Sequence, residues 1–165
     1  MHQPHGTLPM IAAPQRIGSY LGREVLCAAV DGVSDLGGLV MEHSLVLLDV
    51  AAAGLTTAQR EALAGQLVRL RPLGVFVSGP DAEAMFDALL HALETPSDPL
   101  PVMTNFSSAG LAESIDDFLC ATWPAEEWWD RWQGYLLVSI GGSANRLQEA
   151  ARHSLDGERA GRLPD

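Results

Sequence analysis

Small polar side chains end several short apolar segments of this chain, and four of them could do chemistry. They are Asp31, Asp49, Ser78 and Thr104. Two carboxylates with hydroxyls nearby could bind a divalent cation such as Mg²⁺, or one carboxylate could accept a phosphoryl group while the other holds the metal. That chemistry requires the apolar segments to be parallel strands, because the carboxyl ends of parallel strands meet at one edge of a sheet.

Two of the apolar segments and the residues between them predict a β-α-β unit. Residues 45–50, LVLLDV, and residues 74–77, GVFV, are short runs typical of buried parallel strands. Between them, Thr56 and Gln59 have the spacing of a capping box at the start of a helix. We therefore expect the polar residues that end the two runs to lie at the same edge of the sheet.

The same alternation continues along the chain. Further apolar runs at residues 24–30, 102–106 and 135–140 predict strands, and helical patterns separate most of them. We predict an α/β fold with three layers, in which a mostly parallel sheet of about five strands carries helices on both faces. We expect three regions: an N-terminal arm at residues 1–22, a single α/β domain at residues 23–155 and a flexible C-terminal tail at residues 156–165.

Charge excludes several classes of partner. The 165 residues include 21 acidic and 10 basic side chains, which gives a formal net charge of −11. A field of this sign opposes nucleic acid and anionic membrane surfaces. The sequence shows no signal peptide and no run of the roughly 18 to 20 apolar residues that a membrane span needs, so we expect a cytoplasmic protein.

The residue types disfavour most catalytic chemistry. The chain contains no lysine, which excludes a P-loop lysine and a Schiff base to a cofactor. The five histidines are scattered, and neither H-x-x-x-H nor C-x-x-C spacing occurs. Cys27 and Cys120 each lie in an apolar segment, and we expect both to be buried reduced thiols. We predict no cofactor and no metal ion.

The segments LVLLDV and VFVSG resemble the middle of the receiver domain of bacterial response regulators. In that family a phosphorylated aspartate ends one strand, and a threonine or serine ends the next. The resemblance implies Asp49 as the acceptor, Ser78 as the hydroxyl and Asp31 as one member of a metal-binding acidic pair. It covers about a third of the chain. Gly32 stands where the second acid would be, and the family's lysine has no counterpart.

A second resemblance covers more of the chain. The residues that carry it are SGPD at 78–81, VMTN at 102–105 and TWP at 122–124, which precedes the apolar run YLLVSIGG. This order is similar to that of a family of small bacterial α/β proteins without an assigned activity. The resemblance implies the fold and no mechanism.

All four tryptophans lie between residues 123 and 132, among the acids Glu126, Glu127 and Asp130. We predict a short acidic helix here, on which Trp128 and Trp132 would share one face while Trp129 points about 100° away. The rings could all belong to the core. Alternatively, they leave an exposed aromatic patch rimmed by acids, which is typical of a partner surface.

Two functions from different classes follow. The first is a non-catalytic acidic adaptor or protein-binding module of a bacterial cytosolic system. It would bind a protein partner, or a second copy of itself as a homo-oligomer, through Trp128, Trp129, Trp132, Glu126 and Glu127. The alternative is a small enzyme or ligand-binding domain, in which Asp31, Asp49, Ser78 and Thr104 converge at the strand ends, with Mg²⁺ as the metal it could use.

Overall fold

A computed structural model of the protein describes residues 13–94 and 103–161, with side chains for residues 13–94 and 105–157. In chain order its elements are β1 Gln15–Tyr20, β2 Arg23–Val30, a 3-10 helix Val33–Gly38, β3 Ser44–Asp49, α1 Thr57–Leu70, β4 Gly74–Ser78, α2 Ala82–Glu94, β5 Met103–Ser107, α3 Leu111–Ala121, a second 3-10 helix Glu126–Arg131, β6 Gly134–Ile140 and α4 Ala144–Gly161.

One sheet of six strands organises the described residues, in the order β1-β2-β6-β3-β4-β5. β1 pairs with β2 in the antiparallel direction, and all the other pairs are parallel. β6 is the last strand in sequence but lies between β2 and β3, and all seven of its residues are buried. The predicted α/β fold with a mostly parallel sheet is confirmed.

Helices cover both faces of the sheet, as predicted. Alternate residues of β3 point to opposite faces, so Val46 and Leu48 pack in the core beneath α1 and α2 while Leu45 and Leu47 pack in the core beneath α3 and α4. Each face therefore buries its own apolar cluster, which is why the central strands are continuous apolar runs.

The capping box at the start of α1 is present. The hydroxyl of Thr56 accepts a hydrogen bond from the Gln59 amide at 3.2 Å, and the Gln59 side chain accepts one from the Thr56 amide at 2.9 Å. Arg71 ends the helix in a left-handed conformation, with φ of 55°. This local signal was sufficient to place the helix.

Parts of the predicted arm and tail form regular secondary structure. Residues 15–20, assigned to the arm, form β1, and a tight turn at Leu21 and Gly22 joins it to β2. At the other end, α4 continues to Gly161. Residues 1–12, 95–102 and 162–165, which include the start of the arm, the loop before β5 and the end of the tail, lie outside the described residues.

The two cysteines differ in exposure. Cys27 is buried, as predicted, but Cys120 is exposed. The apolar face of α3 is formed by Leu111, Ile115, Phe118 and Leu119, so the next position faces away from the core. In the part of the chain that the structure describes, no helix is long and apolar enough to cross a membrane.

Candidate functional site

Asp49 lies at the carboxyl edge of the sheet and is almost completely buried, with 2% of its surface exposed. One carboxylate oxygen accepts a hydrogen bond from the Ala51 amide at 3.1 Å. The other accepts one from the Ser139 hydroxyl at 3.4 Å and lies 3.9 Å from the Arg146 guanidinium. The carboxylate therefore ties the end of β3 to β6 and α4.

The loops beyond these strand ends are packed closely against one another. Ser78 is buried, and its neighbour Gly79 has φ of 132°. A Cβ at Gly79 would lie 2.9 Å from the Ala51 backbone nitrogen, and one at Gly142 would clash with the Ser139 hydroxyl. The loops around Asp49 therefore pack closely against one another and against the Ser139 hydroxyl.

The other two predicted residues do not join Asp49 and Ser78. Asp31 is exposed beyond the end of β2, and β6 separates β2 from β3 by two strand spacings, or about 10 Å. Thr104 pairs with Val75 near the start of β5 rather than at its carboxyl end. The predicted convergence of the four residues at the strand ends is therefore wrong.

Ser107 is the residue that sequence reasoning missed at this edge. It pairs with Ser78 at the end of β5, and its hydroxyl accepts a hydrogen bond from the Ala109 amide at 3.2 Å. The predicted strand ended too early because Ser107 lies in a polar stretch, and the apolar pattern could not fix its position. Among the residues described, no three histidine, cysteine or carboxylate side chains form a group that could hold a metal ion.

The sheet order also separates this chain from the receiver-like arrangement. In the flavodoxin-like order 2-1-3-4-5, the first strand lies beside the third. Here β2 and β3, the strands that lead to Asp31 and Asp49, are not adjacent, because β6 lies between them. Asp31 is thus not placed beside Asp49 as the acidic partner that the resemblance implied.

The tryptophan-rich segment forms a 3-10 helix, Glu126–Arg131, rather than the predicted α-helix. In 3-10 geometry, residues three apart lie over one another. Accordingly Trp129 contacts Trp132, with ring centroids 5.5 Å apart at 85°. The helix type thus differs from the prediction, but Trp128 and Trp132 still pack against the same core while Trp129 is exposed, as expected.

Two of the four indoles belong to the protein interior. Trp132 is 5% exposed, its indole nitrogen donates a hydrogen bond to the Gly134 carbonyl at 3.0 Å, and its ring packs edge-on against Tyr135 at 5.2 Å. Trp128 is half-buried against the same core, and the Arg131 guanidinium lies 5.1 Å from its ring centroid. Of these two, Trp128 offers most of the surface that a partner could contact.

The other two indoles form an exposed stack. Trp123 is 38% exposed and Trp129 is 39% exposed, and their rings lie 6.2 Å apart at an interplanar angle of 11°. A shallow open depression beside them is lined by Pro124, Glu126, Trp129 and Asp130. We call Trp123, Pro124, Glu126, Trp129 and Asp130 the indole surface. Sequence reasoning did not include Trp123 among the partner-binding residues.

Arg23 holds the indole surface to the sheet. Its guanidinium donates hydrogen bonds to the Trp132 carbonyl at 3.3 Å and to the Trp129 carbonyl at 3.4 Å. The same group lies 3.8 Å from the Trp132 ring centroid and 5.5 Å from that of Trp129. Arg23 is more than 100 residues away from Trp129 and Trp132 in the chain, so no local sequence signal could have identified it as their partner.

The indole surface lies opposite the Asp49 edge and in an acidic region. The 3-10 helix that carries it immediately precedes β6, so it lies at the amino edge of the parallel strands. Between residues 111 and 133 there are six carboxylates and a single arginine. The six acids are Glu113, Asp116, Asp117, Glu126, Glu127 and Asp130, and all are exposed.

Comparisons with known proteins support the fold and go no further. No protein-family model matches the chain, and no curated protein matches it by sequence. The structure is similar to part of the UDP-N-acetylmuramate-alanine ligase MurC of Thermotoga maritima, with a TM-score of 0.55 and 11% identity over 90% of this chain. The chain spans 30% of that protein. At this identity, the likeness shows a shared α/β fold with a Rossmann-like sheet.

Proposed function

We propose that this protein is a non-catalytic protein-binding module, an adaptor that engages its partner through the indole surface. The observation that carries the proposal is the stack of Trp123 and Trp129, two large rings that each keep nearly two-fifths of their surface exposed. Tryptophan is the residue type most enriched among interface hot spots. Isolated exposed apolar residues need no such explanation, but adjacent indoles form a contiguous patch.

The rigidity of the surface supports the proposal. Trp129 is contacted by Trp123, Trp132 and the Arg23 guanidinium, so its ring is held before any partner arrives. An interface side chain that is already ordered loses less conformational entropy on binding. The acids around the patch form the polar rim that typical interfaces have.

The opposite edge of the sheet offers less to a ligand. Asp49 is buried, hydrogen-bonded to Ala51 and Ser139, and close to Arg146, all within the chain itself. This arrangement favours a structural role for the carboxylate. We therefore assign the working surface to the amino edge, and the partner is another protein or a second copy of this chain.

The test is affinity capture from the native host with three forms of the protein. These are the wild type, the double variant Trp123→Ser/Trp129→Ser, and the matched control Val40→Ser. Val40 is 80% exposed but belongs to a loop that packs on the other face of the sheet. The captured protein is then purified, and its affinity for each form is measured by calorimetry. We expect the double variant to bind about 30-fold or more weakly, as for loss of a hot spot, and the control to bind normally.

Circular dichroism and thermal melting establish that each variant is folded. The proposal is wrong if the folded double variant captures and binds the same protein as the wild type does. An equal loss of affinity in the double variant and in Val40→Ser would also contradict the proposal, because the effect would then not be specific to the indole surface.

A further inference from the structure

We propose that the partner presents a basic segment, with an arginine that lies against the exposed part of the Trp123–Trp129 stack and pairs with Glu126 and Asp130. This inference rests on the proposed function and specifies the chemistry of its partner. The depression beside the stack places an indole and two exposed carboxylates together, so it is apolar on one side and anionic on the other. A guanidinium group matches both properties.

The charge around the surface selects a cation. Glu126 and Asp130 line the depression, and Glu113, Asp116 and Asp117 lie on the exposed side of α3, which leads into this segment. These carboxylates create a negative field that attracts a basic segment and orients its approach. A second copy of this chain carries a net charge of −11 and would be repelled by the same field.

The chain already uses the same contact internally. Arg23 stacks over Trp132 at 3.8 Å, and Arg131 lies 5.1 Å from the Trp128 ring centroid. A cation near an indole face is attracted by the ring quadrupole. The partner's arginine would extend this arrangement outward, onto the indole area that the protein leaves exposed.

Arginine fits the depression better than lysine does. Its guanidinium is planar, so it can stack on an indole while its N–H groups point along the plane toward carboxylates on either side. A lysine ammonium is a compact, strongly hydrated charge that cannot make both contacts in this way. A preference for arginine over lysine is thus the signature of this geometry, since attraction by bulk charge would not distinguish the two.

The experiment uses the full chain and three capped glycine-serine peptides that differ in their interspersed residues: arginines, lysines or glutamines. Binding is followed by tryptophan fluorescence and calorimetry at salt concentrations from about 50 to 300 mM, a range over which exposed charge pairs become screened. We expect the arginine peptide to bind about two- to fivefold more tightly than the lysine peptide, which is the size of an exposed cation–indole contact. The glutamine peptide should not bind measurably.

Two variants of equal charge separate the local contact from the overall field. Glu126→Gln/Asp130→Asn removes the carboxylates of the depression, and Glu83→Gln/Asp87→Asn removes two exposed carboxylates of α2, on the other face of the sheet. The first variant should bind the arginine peptide about three- to tenfold more weakly than the wild type does, and the second less than twofold more weakly. Trp129→Leu should abolish the preference for arginine over lysine.

Several outcomes would overturn the inference. These are no binding of the arginine peptide, equal weakening by the two charge variants, or equal affinity for arginine and lysine peptides. Self-association that Trp129→Leu abolishes would identify a second copy as the occupant instead. If the captured partner binds through Trp123 and Trp129 but is insensitive to Glu126→Gln/Asp130→Asn, the proposed function stands and the basic-segment inference fails.

Discussion

Replacing Arg23 with alanine should loosen the indole surface and lower the stability of the whole domain. Besides an exposed hydrogen bond to the Leu21 carbonyl in the adjoining turn, the guanidinium of Arg23 makes two hydrogen bonds to backbone carbonyls of the tryptophan segment and lies over the Trp132 ring at 3.8 Å. The hydrogen bonds are 3.3 and 3.4 Å long, so we assign them about 0.5 kcal/mol each. The partly buried cation–indole contact contributes about 1 kcal/mol more. The expected loss in the free energy of unfolding is therefore about 2 kcal/mol, or about 4–8 °C in melting temperature.

The matched control is Arg16→Ala. Arg16 also lies in the β1–β2 hairpin and pairs with Glu24 at 3.6 Å, but the side chains of both residues are about three-fifths exposed. An exposed pair of this kind contributes less than about 1 kcal/mol, so the control should melt close to the wild type. Arg23→Lys keeps the charge but lacks the planar fork, and we expect it to restore about half of the loss.

A double-mutant cycle tests the cause. Arg23→Ala and Trp132→Phe, alone and together, are compared by chemical denaturation, and the coupling energy should be about 1 kcal/mol. The reasoning is refuted if Arg23→Ala melts within about 2 °C of Arg16→Ala, or if the two substitutions are additive to within about 0.3 kcal/mol.

Two further predictions concern other parts of the domain. Gly134→Ala should cost about 3 kcal/mol or more in denaturant unfolding, because a Cβ there would lie 2.5 Å from the Glu24 carbonyl oxygen in the β2–β6 ladder. Gly65 has open space around it inside α1, so the control Gly65→Ala should raise the free energy of unfolding by about 0.5–1 kcal/mol. Equal effects of the two substitutions would contradict the packing of β6. Burial raises the pKa of the Cys27 thiol from 9.0 to about 12, although Arg152 lowers it, so at pH 8 this thiol stays protonated while the exposed Cys120 reacts with a disulfide reagent. One thiol should therefore react quickly in the native protein and two after denaturation, and two fast native thiols would show that β2 is not covered as described.

The β-α-β unit at the centre of the chain could be predicted from sequence because its signals are local. Residues 45–50 and 74–77 were expected as strands, and the structure has β3 at Ser44–Asp49 and β4 at Gly74–Ser78. A buried parallel strand must be apolar throughout, and the capping box at Thr56 satisfies backbone groups within one turn. Neither feature depends on where the rest of the chain lies.

The elements that were missed lack such local signals. β1 has only two large apolar residues, Ile17 and Tyr20, and it exists as a strand because β2 offers it an unpaired edge. The tryptophan segment was expected as an α-helix, but it is a 3-10 helix in which Trp129 contacts Trp132 and the Arg23 guanidinium. In both cases the conformation depends on contacts outside the segment's own apolar pattern.

By itself the sequence determined the fold class, the main strands, the acidic field and the presence of an aromatic-acidic segment, because composition and short-range periodicity encode these properties. Only the tertiary structure decided that β6 inserts between β2 and β3, which keeps Asp31 away from Asp49. It also decided that Trp123 joins Trp129 at the surface while Trp132 is buried over Tyr135. Strand order and side-chain exposure depend on contacts between residues far apart in the chain, and those contacts form only when the helices pack on the two faces of the sheet.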